Sequence, residues 1–239
     1  MVIGILVAMQ SEYDSIKDHI HVISQSSINN RDFVYGTLEE NNRKNYVVCS
    51  ISGIGKVNAA VTAMTMIKSY QIDAVISTGC CGGLNPDSQK IGDIHVGSCY
   101  GYHDVYCSTM SKYGQIPGKP EQYLADEKLL EHVSKIFDKY QNKIHYGLMM
   151  TGDRFIDTPQ EVINIKSHFP VAETCEMEST AIAQVCYEFK KPFLAFRVIS
   201  DLPSLSADEK EHMEKFEDFW KTMGNISGEF TRDFLETFK

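Results

Sequence analysis

Short apolar runs alternate with segments of helical spacing along the 239 residues. Val2 to Met9 is a continuous apolar run and predicts a buried strand. Phe33 to Leu38 and Tyr46 to Ile51 predict two more, with the polar linker Glu39 to Asn45 as the hairpin turn between them. Apolar residues at Val57, Ala60, Val61, Met64 and Ile67 keep helix spacing and predict a helix over Val57 to Tyr70. Ala74 to Ser77, Ile91 to Val96, Ile144 to Met150 and Phe193 to Ile199 read as further strands. Thr158-Pro159-Gln160-Glu161 is a capping box with proline at the first helical position, and it starts a helix running to about His168. A second helix covers roughly Met177 to Phe189, and an amphipathic one about Ala207 to Phe238. The alternation predicts an α/β class with a mostly parallel sheet covered on both sides. Gly101 to Gln122 has no clear period and reads as a long functional or interface loop. No repeat or linker interrupts the pattern, so residues 1–239 are expected to form a single domain.

Composition removes several function classes. Hydrophobic residues make up 43% and charged residues 23% of the chain, an ordinary soluble balance. The net charge of −9 is spread along the chain, which opposes binding to a phosphate backbone and argues against nucleic acid as a partner. The seven cysteines form no CxxC pair and no Cys/His set with zinc-ligand spacing, so reduced thiols and no metal are expected. The N-terminal apolar run lacks a basic lead and a cleavage site, and no run approaches the ~20 apolar residues that span a bilayer. A cytoplasmic protein without a membrane partner is expected.

Four candidate sites fall at the carboxyl ends of predicted strands, where open α/β sheets bind ligands. Glu12 follows the first strand; it is either an acid/base poised by burial or an ordinary helix-start acid. Ser52-Gly53-Ile54-Gly55-Lys56 is either a binding loop with close backbone approach or a tight turn, and it matches neither GxxxxGKS/T nor GxGxxG. Thr78-Gly79-Cys80-Cys81-Gly82-Gly83 reads as a small-residue turn able to floor a pocket, its cysteines as buried small hydrophobes. The fourth site joins Cys175-Glu176-Met177-Glu178 to Arg197-Val198-Ile199-Ser200-Asp201. There Glu178 lies at the edge of an apolar stripe formed by Met177, Ala181, Val185 and Phe189 and widened by Ile182 and Cys186. A buried unpaired carboxylate is costly, so Glu178 either binds a ligand or pairs structurally with Arg197.

In order, the segments IGILVAMQSE, SGIGKVNAA, STGCCGGL, IGDI, YHD, YGQIPG, GDRFID, CEMESTAIAQVC and RVISD carry a larger pattern. Through them the chain resembles, over nearly its whole length, the bacterial 5′-methylthioadenosine/S-adenosylhomocysteine nucleosidases of the nucleoside phosphorylase/hydrolase superfamily. The resemblance implies a three-layer α/β/α fold around a central twisted mixed sheet, nucleoside phosphorylase-like and usually homodimeric. It implies hydrolysis of the N-glycosidic bond of an adenine nucleoside, with no metal or organic cofactor. Glu12 would make the nucleophile from a bound water, and Asp201, beside Ser200, would protonate the purine N7. Glu178 would grip the ribose hydroxyls, with Met177 packed against the sugar and Arg197 near it. Phe155 would stack on adenine and Ile156 would offer backbone groups to the base. Met9 and Ile54 match pocket-lining positions, Cys80 stands where the family usually has serine, and Phe216 matches an aromatic of the 5′-substituent site. Such a bond breaks through a cationic, oxocarbenium-like sugar, which a nearby carboxylate stabilises.

Ser77 occupies the position where related phosphorylases carry a phosphate-binding arginine, and losing that cation favours water over phosphate. The chain also departs from the nucleosidases. Cys80 supplies a weaker donor than a hydroxyl, Ser108 to Lys112 lacks the usual aromatics, and Leu202 to Met213 is longer and charged. These changes fall around the 5′-site and the expected dimer contact. They leave the 5′-substituent open, including a specialised paralogue for another 5′-modified adenosine. A purine or uridine phosphorylase and a non-catalytic nucleoside-binding protein are the competing readings.

Overall fold

The computed structural model describes residues 1–40, 43–204 and 216–238. The first apolar run forms β1 (Val2–Val7), and α1 (Gln10–Lys17) starts directly behind it. Then come β2 (Ile20–Ile28), β3 (Arg31–Glu40) and β4 (Arg43–Ile51). β3 and β4 pair antiparallel as the sequence predicts, although residues 41–42 of the turn lie outside the described residues. β2 is absent from the sequence reading because almost all of it is exposed, so no apolar alternation marks it.

α2 (Lys56–Ser69) has the predicted extent but buries a different face. Ala59, Thr62, Ala63 and Met66 turn inward, whereas Val57 and Met64 are 72% and 44% exposed. The helix lies so close to β1 that a methyl group at Gly4 would sit 2.5 Å from the Met66 sulfur. Gly4 thus leaves the room that the buried Met66 side chain fills.

The largest departure is β5 (Ala74–Gly83), which continues straight through the segment read as a Gly-rich turn. Its first half pairs in parallel with β1, and its length pairs with β10 (Phe193–Asp201). At Gly82 and Gly83 it turns to pair antiparallel with β9 (Ala172–Glu176), a strand the sequence reading also missed. Between these lie β6 (Ile94–Tyr102), β7 (Tyr123–Leu124), α3 (Glu127–Ser134), α4 (Phe137–Tyr140), β8 (Ile144–Thr151) and α5 (Pro159–His168). The chain closes with α6 (Ser179–Glu188) before β10 and α7 (Phe216–Glu236) after it. Residues 205–215, at the start of the predicted last helix, lie outside the described residues.

The sheet order is β10-β6-β8-β9-β5-β1-β4-β3-β2, and β10 also pairs with β5. The sheet is mixed, as the resemblance implies and unlike the mostly parallel one read from the alternation alone, and it closes on itself at one end. Small residues in β5 permit the bend that makes the closure. Alternation along β10 sends Phe196 against Phe230 and Phe234 of α7, and Arg197 toward Ser179 beside α6. The two helices thus cover opposite faces, giving the predicted α/β/α layering. α5 is capped as its sequence demands, with the Thr158 hydroxyl accepting from the Glu161 amide. Among the described residues no helix is long and apolar enough to cross a membrane.

Candidate active site

Strand ends converge on a pocket of about 200 Å³. Glu12 stands in the first turn of α1, behind β1, and is buried. Its Oε2 accepts from the amides of Ala8 (2.8 Å) and Met9 (3.0 Å), and its Oε1 from the amide of Cys80 (3.0 Å). It is therefore both the helix-start acid and a pocket group. Burial pushes its pKa up, while Arg197 and the three amides pull it back. The bend in β5 brings the Cys80 amide within reach. Gly79 adopts φ +145°, and a methyl group there would lie 2.2 Å from Glu12 Oε1.

Glu178 precedes α6 rather than lying on it. Its Oε1 accepts from the Gly55 amide (2.9 Å), and its Oε2 lies 3.3 Å from Arg197 Nη2. Gly55 reaches it because φ +95° turns the loop at the start of α2. Burial raises the Glu178 pKa to about 7, with Arg197 opposing and Glu176 adding to the rise. Glu176 is the residue the sequence reading passed over. Its Oε2 lies 2.8 Å from Arg197 Nη2 and accepts from the amides of Glu178 (2.9 Å) and Ser179 (2.8 Å). It also accepts from the Thr151 hydroxyl. No local signal in the chain sets it apart from Glu178, because the strand that ends at Glu176 is only five residues long.

Arg197 is buried and heavily engaged. Besides its ion pairs with both carboxylates it donates to Ser179 Oγ (3.2 Å), the Cys80 carbonyl (3.1 Å) and Ser77 Oγ (3.1 Å). Burial alone would lower its pKa, but Glu176, Glu178 and Glu12 hold it above its ordinary value. At the end of β10 the Ser200 hydroxyl lies 2.6 Å from Asp201 Oδ1 and 3.2 Å from the Cys81 carbonyl. The thiols of Cys80 and Cys81 are pushed up by burial, which removes them as nucleophiles.

Met9, Ile54, Met177, Phe155 and Ile156 line the same pocket. Phe155 is half exposed and Ile156 buried. Phe216 begins α7, but its side chain lies outside the described residues. The structure adds Arg154, Cys175 and Gly82 to the lining. A wider open groove of about 850 Å³ between α1 and the β2–β3 hairpin has Asp32 as its one lining carboxylate among the described residues; its Arg31 donates to Thr62 and the Asn29 carbonyl. Among the described residues no group of His, Cys, Asp and Glu is arranged to hold a metal ion.

A mixed sheet closed through its last strand, with carboxylates at its strand ends, defines a member of the phosphorylase superfamily, whose profile matches residues 2–236. Within it, the chain is 37% identical over 207 residues to the 5′-methylthioadenosine/S-adenosylhomocysteine nucleosidase of Staphylococcus aureus (strain JH9), covering 86% of this chain and 89% of that one. The nucleosidase of Neisseria meningitidis, solved with methylthio-immucillin-A, superposes with a TM-score of 0.88 at 31% identity over 98% of both chains. That of Colwellia psychrerythraea 34H, solved with adenine, gives 0.88 at 31% identity over 99% of this chain and 95% of the other. The chain belongs to the 5′-methylthioadenosine/S-adenosylhomocysteine nucleosidase family and is an N-glycosyl hydrolase.

Proposed function

We propose that the chain hydrolyses 5′-methylthioadenosine and S-adenosylhomocysteine, releasing adenine and the 5′-thio-substituted ribose, with Glu12, Glu178 and Asp201 as its working carboxylates. One observation carries this assignment of roles: Glu12, Glu178 and Asp201, from separate strand ends, line one pocket together with the buried Arg197. In this reading Asp201 protonates N7 and makes adenine a competent leaving group. Glu178 holds the ribose hydroxyls and stabilises the developing positive charge. Glu12, its pKa raised by burial, takes a proton from the attacking water. Met9, Ile54, Cys80, Met177 and Arg197 shape the sugar side, and Phe155, Ile156 and Ser200 the base side.

Hydrolysis is favoured over phosphorolysis because both pocket guanidiniums already face carboxylates, which compete with a phosphate anion. Arg197 is committed to its five partners, and Arg154 pairs with Glu161. A homodimer belongs to the same reading. It is supported by the apolar stripe that α2 leaves outside, and by the loop with exposed Tyr106 and Met110, tied to the same helix end through Lys56 and Asp104.

The test is adenine release from 5′-methylthioadenosine in phosphate-free buffer and again with phosphate. Release without phosphate is expected; release only with phosphate would assign a phosphorylase. Asp201→Asn should lower kcat by ~10²–10⁴-fold, the range of a general acid–base step, with an unchanged circular dichroism spectrum. Near-normal turnover in that variant would remove Asp201 from the leaving-group role.

A further inference from the structure

The N-terminus of α2 presents two successive amides to two different carboxylates. The Gly55 amide donates to Glu178 in the pocket (2.9 Å), and the Lys56 amide donates to Asp153 Oδ1 (2.7 Å). Asp153 opens the loop that carries Phe155 and Ile156. A third carboxylate locks this arrangement: Asp104 Oδ2 accepts from the Lys56 ammonium (2.7 Å) and from the Asp153 amide (2.9 Å). The ammonium also lies 3.8 Å from Asp153 Oδ2. Below the loop, the ring of buried His103 lies so close to Gly152 that a methyl group there would come within 2.3 Å of it. The side chain of Asp153 is thus held by the helix end that also grips Glu178, and its backbone amide by Asp104, which the Lys56 ammonium fixes.

These groups touch neither base nor sugar in the roles given above. Lys56 and Asp104 are about three-quarters buried and Asp153 is half exposed. Ion pairs this accessible contribute only ~0.2–1 kcal/mol to stability. Position is another matter, because a displacement of ~1 Å at a reacting centre costs ~10²-fold in rate.

We infer that Lys56, Asp104 and Asp153 form a positioning clamp that fixes the base-side loop 152–156 against Glu178, so that base and sugar are engaged as one unit. The inference rests on the nucleosidase reading for what the pocket binds, but the clamp itself can be observed without turnover.

The experiment compares Asp104→Asn, Lys56→Met and Lys56→Arg with the wild-type chain. Amide hydrogen exchange follows residues 153–156 and Gly55, and steady-state kinetics on 5′-methylthioadenosine separate KM from kcat. Asp104→Asn and Lys56→Met should speed exchange in 153–156 by about tenfold or more and raise KM by about tenfold, with kcat falling less. Lys56→Arg should keep most of the wild-type KM, since it retains the cation. Their melting temperatures should stay within about 4 °C of wild type, in line with a pair that still reaches solvent. Exchange and KM within about twofold of wild type in both disrupting variants would overturn the clamp. So would equal losses in Lys56→Arg and Lys56→Met. Wild-type protein that releases no adenine would sink the nucleosidase reading instead, and the exchange data would then decide the clamp alone.

Discussion

Gly79 leaves Glu12 no spare room. Its φ of +145° and its 2.2 Å clearance to Glu12 Oε1 both exclude a side chain. Gly79→Ala should add backbone strain of about 1–3 kcal/mol and push the carboxylate off the Cys80 amide. A lower melting temperature together with a kcat loss larger than the KM change is the expected result; wild-type kcat would mean that the Glu12 position is unimportant to turnover. At this scale much of the site was legible in the chain. Glu12, Glu178, Arg197 and Asp201 stood out because charged residues at strand ends or beside apolar stripes are costly unless used. Glu176 did not, since nothing in CEME distinguishes the carboxylate that braces Arg197 from the one facing the pocket. That division depends on the strand ending at Glu176 and on the turn that frees Glu178.

α2 shows how an element can be found for the wrong reason. Val57, Ala60, Val61 and Met64 reveal its period, yet Val57 and Met64 face outward and alanines and threonines make the contact. Two exposed apolar side chains on one helix face, Val57 and Met64, are what an interface between two copies would cover. Replacing Val57 by Glu and Met64 by Lys together should convert a dimer to a monomer at micromolar concentration while the fold persists. Light scattering behind a sizing column measures this. A wild-type chain that elutes as a monomer, or a double variant that stays dimeric, would move the interface elsewhere. The cap of α5 was fully readable, because capping is local chemistry among four consecutive residues. β2 and β9 were not, because one is exposed along its length and the other is five residues long.

The whole molecule holds three buried carboxylates around one buried guanidinium, and this sets a pH dependence. Glu178 titrates near 7 when folded against an ordinary 4.5. Between those values the folded chain keeps a proton that the unfolded chain has released, so stability should fall as pH rises through that window. Glu178→Gln removes this contribution and should flatten the curve. Melting temperature measured from about pH 5 to pH 7.5 on ligand-free wild type and variant tests it; parallel curves would show that Glu178 titrates normally. The acid cluster also makes Arg197 hard to replace, since removing it strands buried charge at a cost of ~3–5 kcal/mol.

The sequence by itself determined the α/β class and most strand and helix positions, because hydrophobic period and caps act over a few residues; it put Glu12, Glu178 and Asp201 among the candidate residues, and only the family resemblance gave them roles. The tertiary structure decided three things that no local signal carries. It turned the Thr78 to Gly83 segment into the second half of a bent strand, because β10 and β9 offer it hydrogen-bonding partners. It chose which face of α2 is buried, because Gly4 of β1 leaves room for Met66 on that face. It also bound Glu12, Glu176, Glu178 and Arg197 into one electrostatic unit, because the closing sheet brings together residues that lie as far apart as positions 12 and 197 and removes them from water.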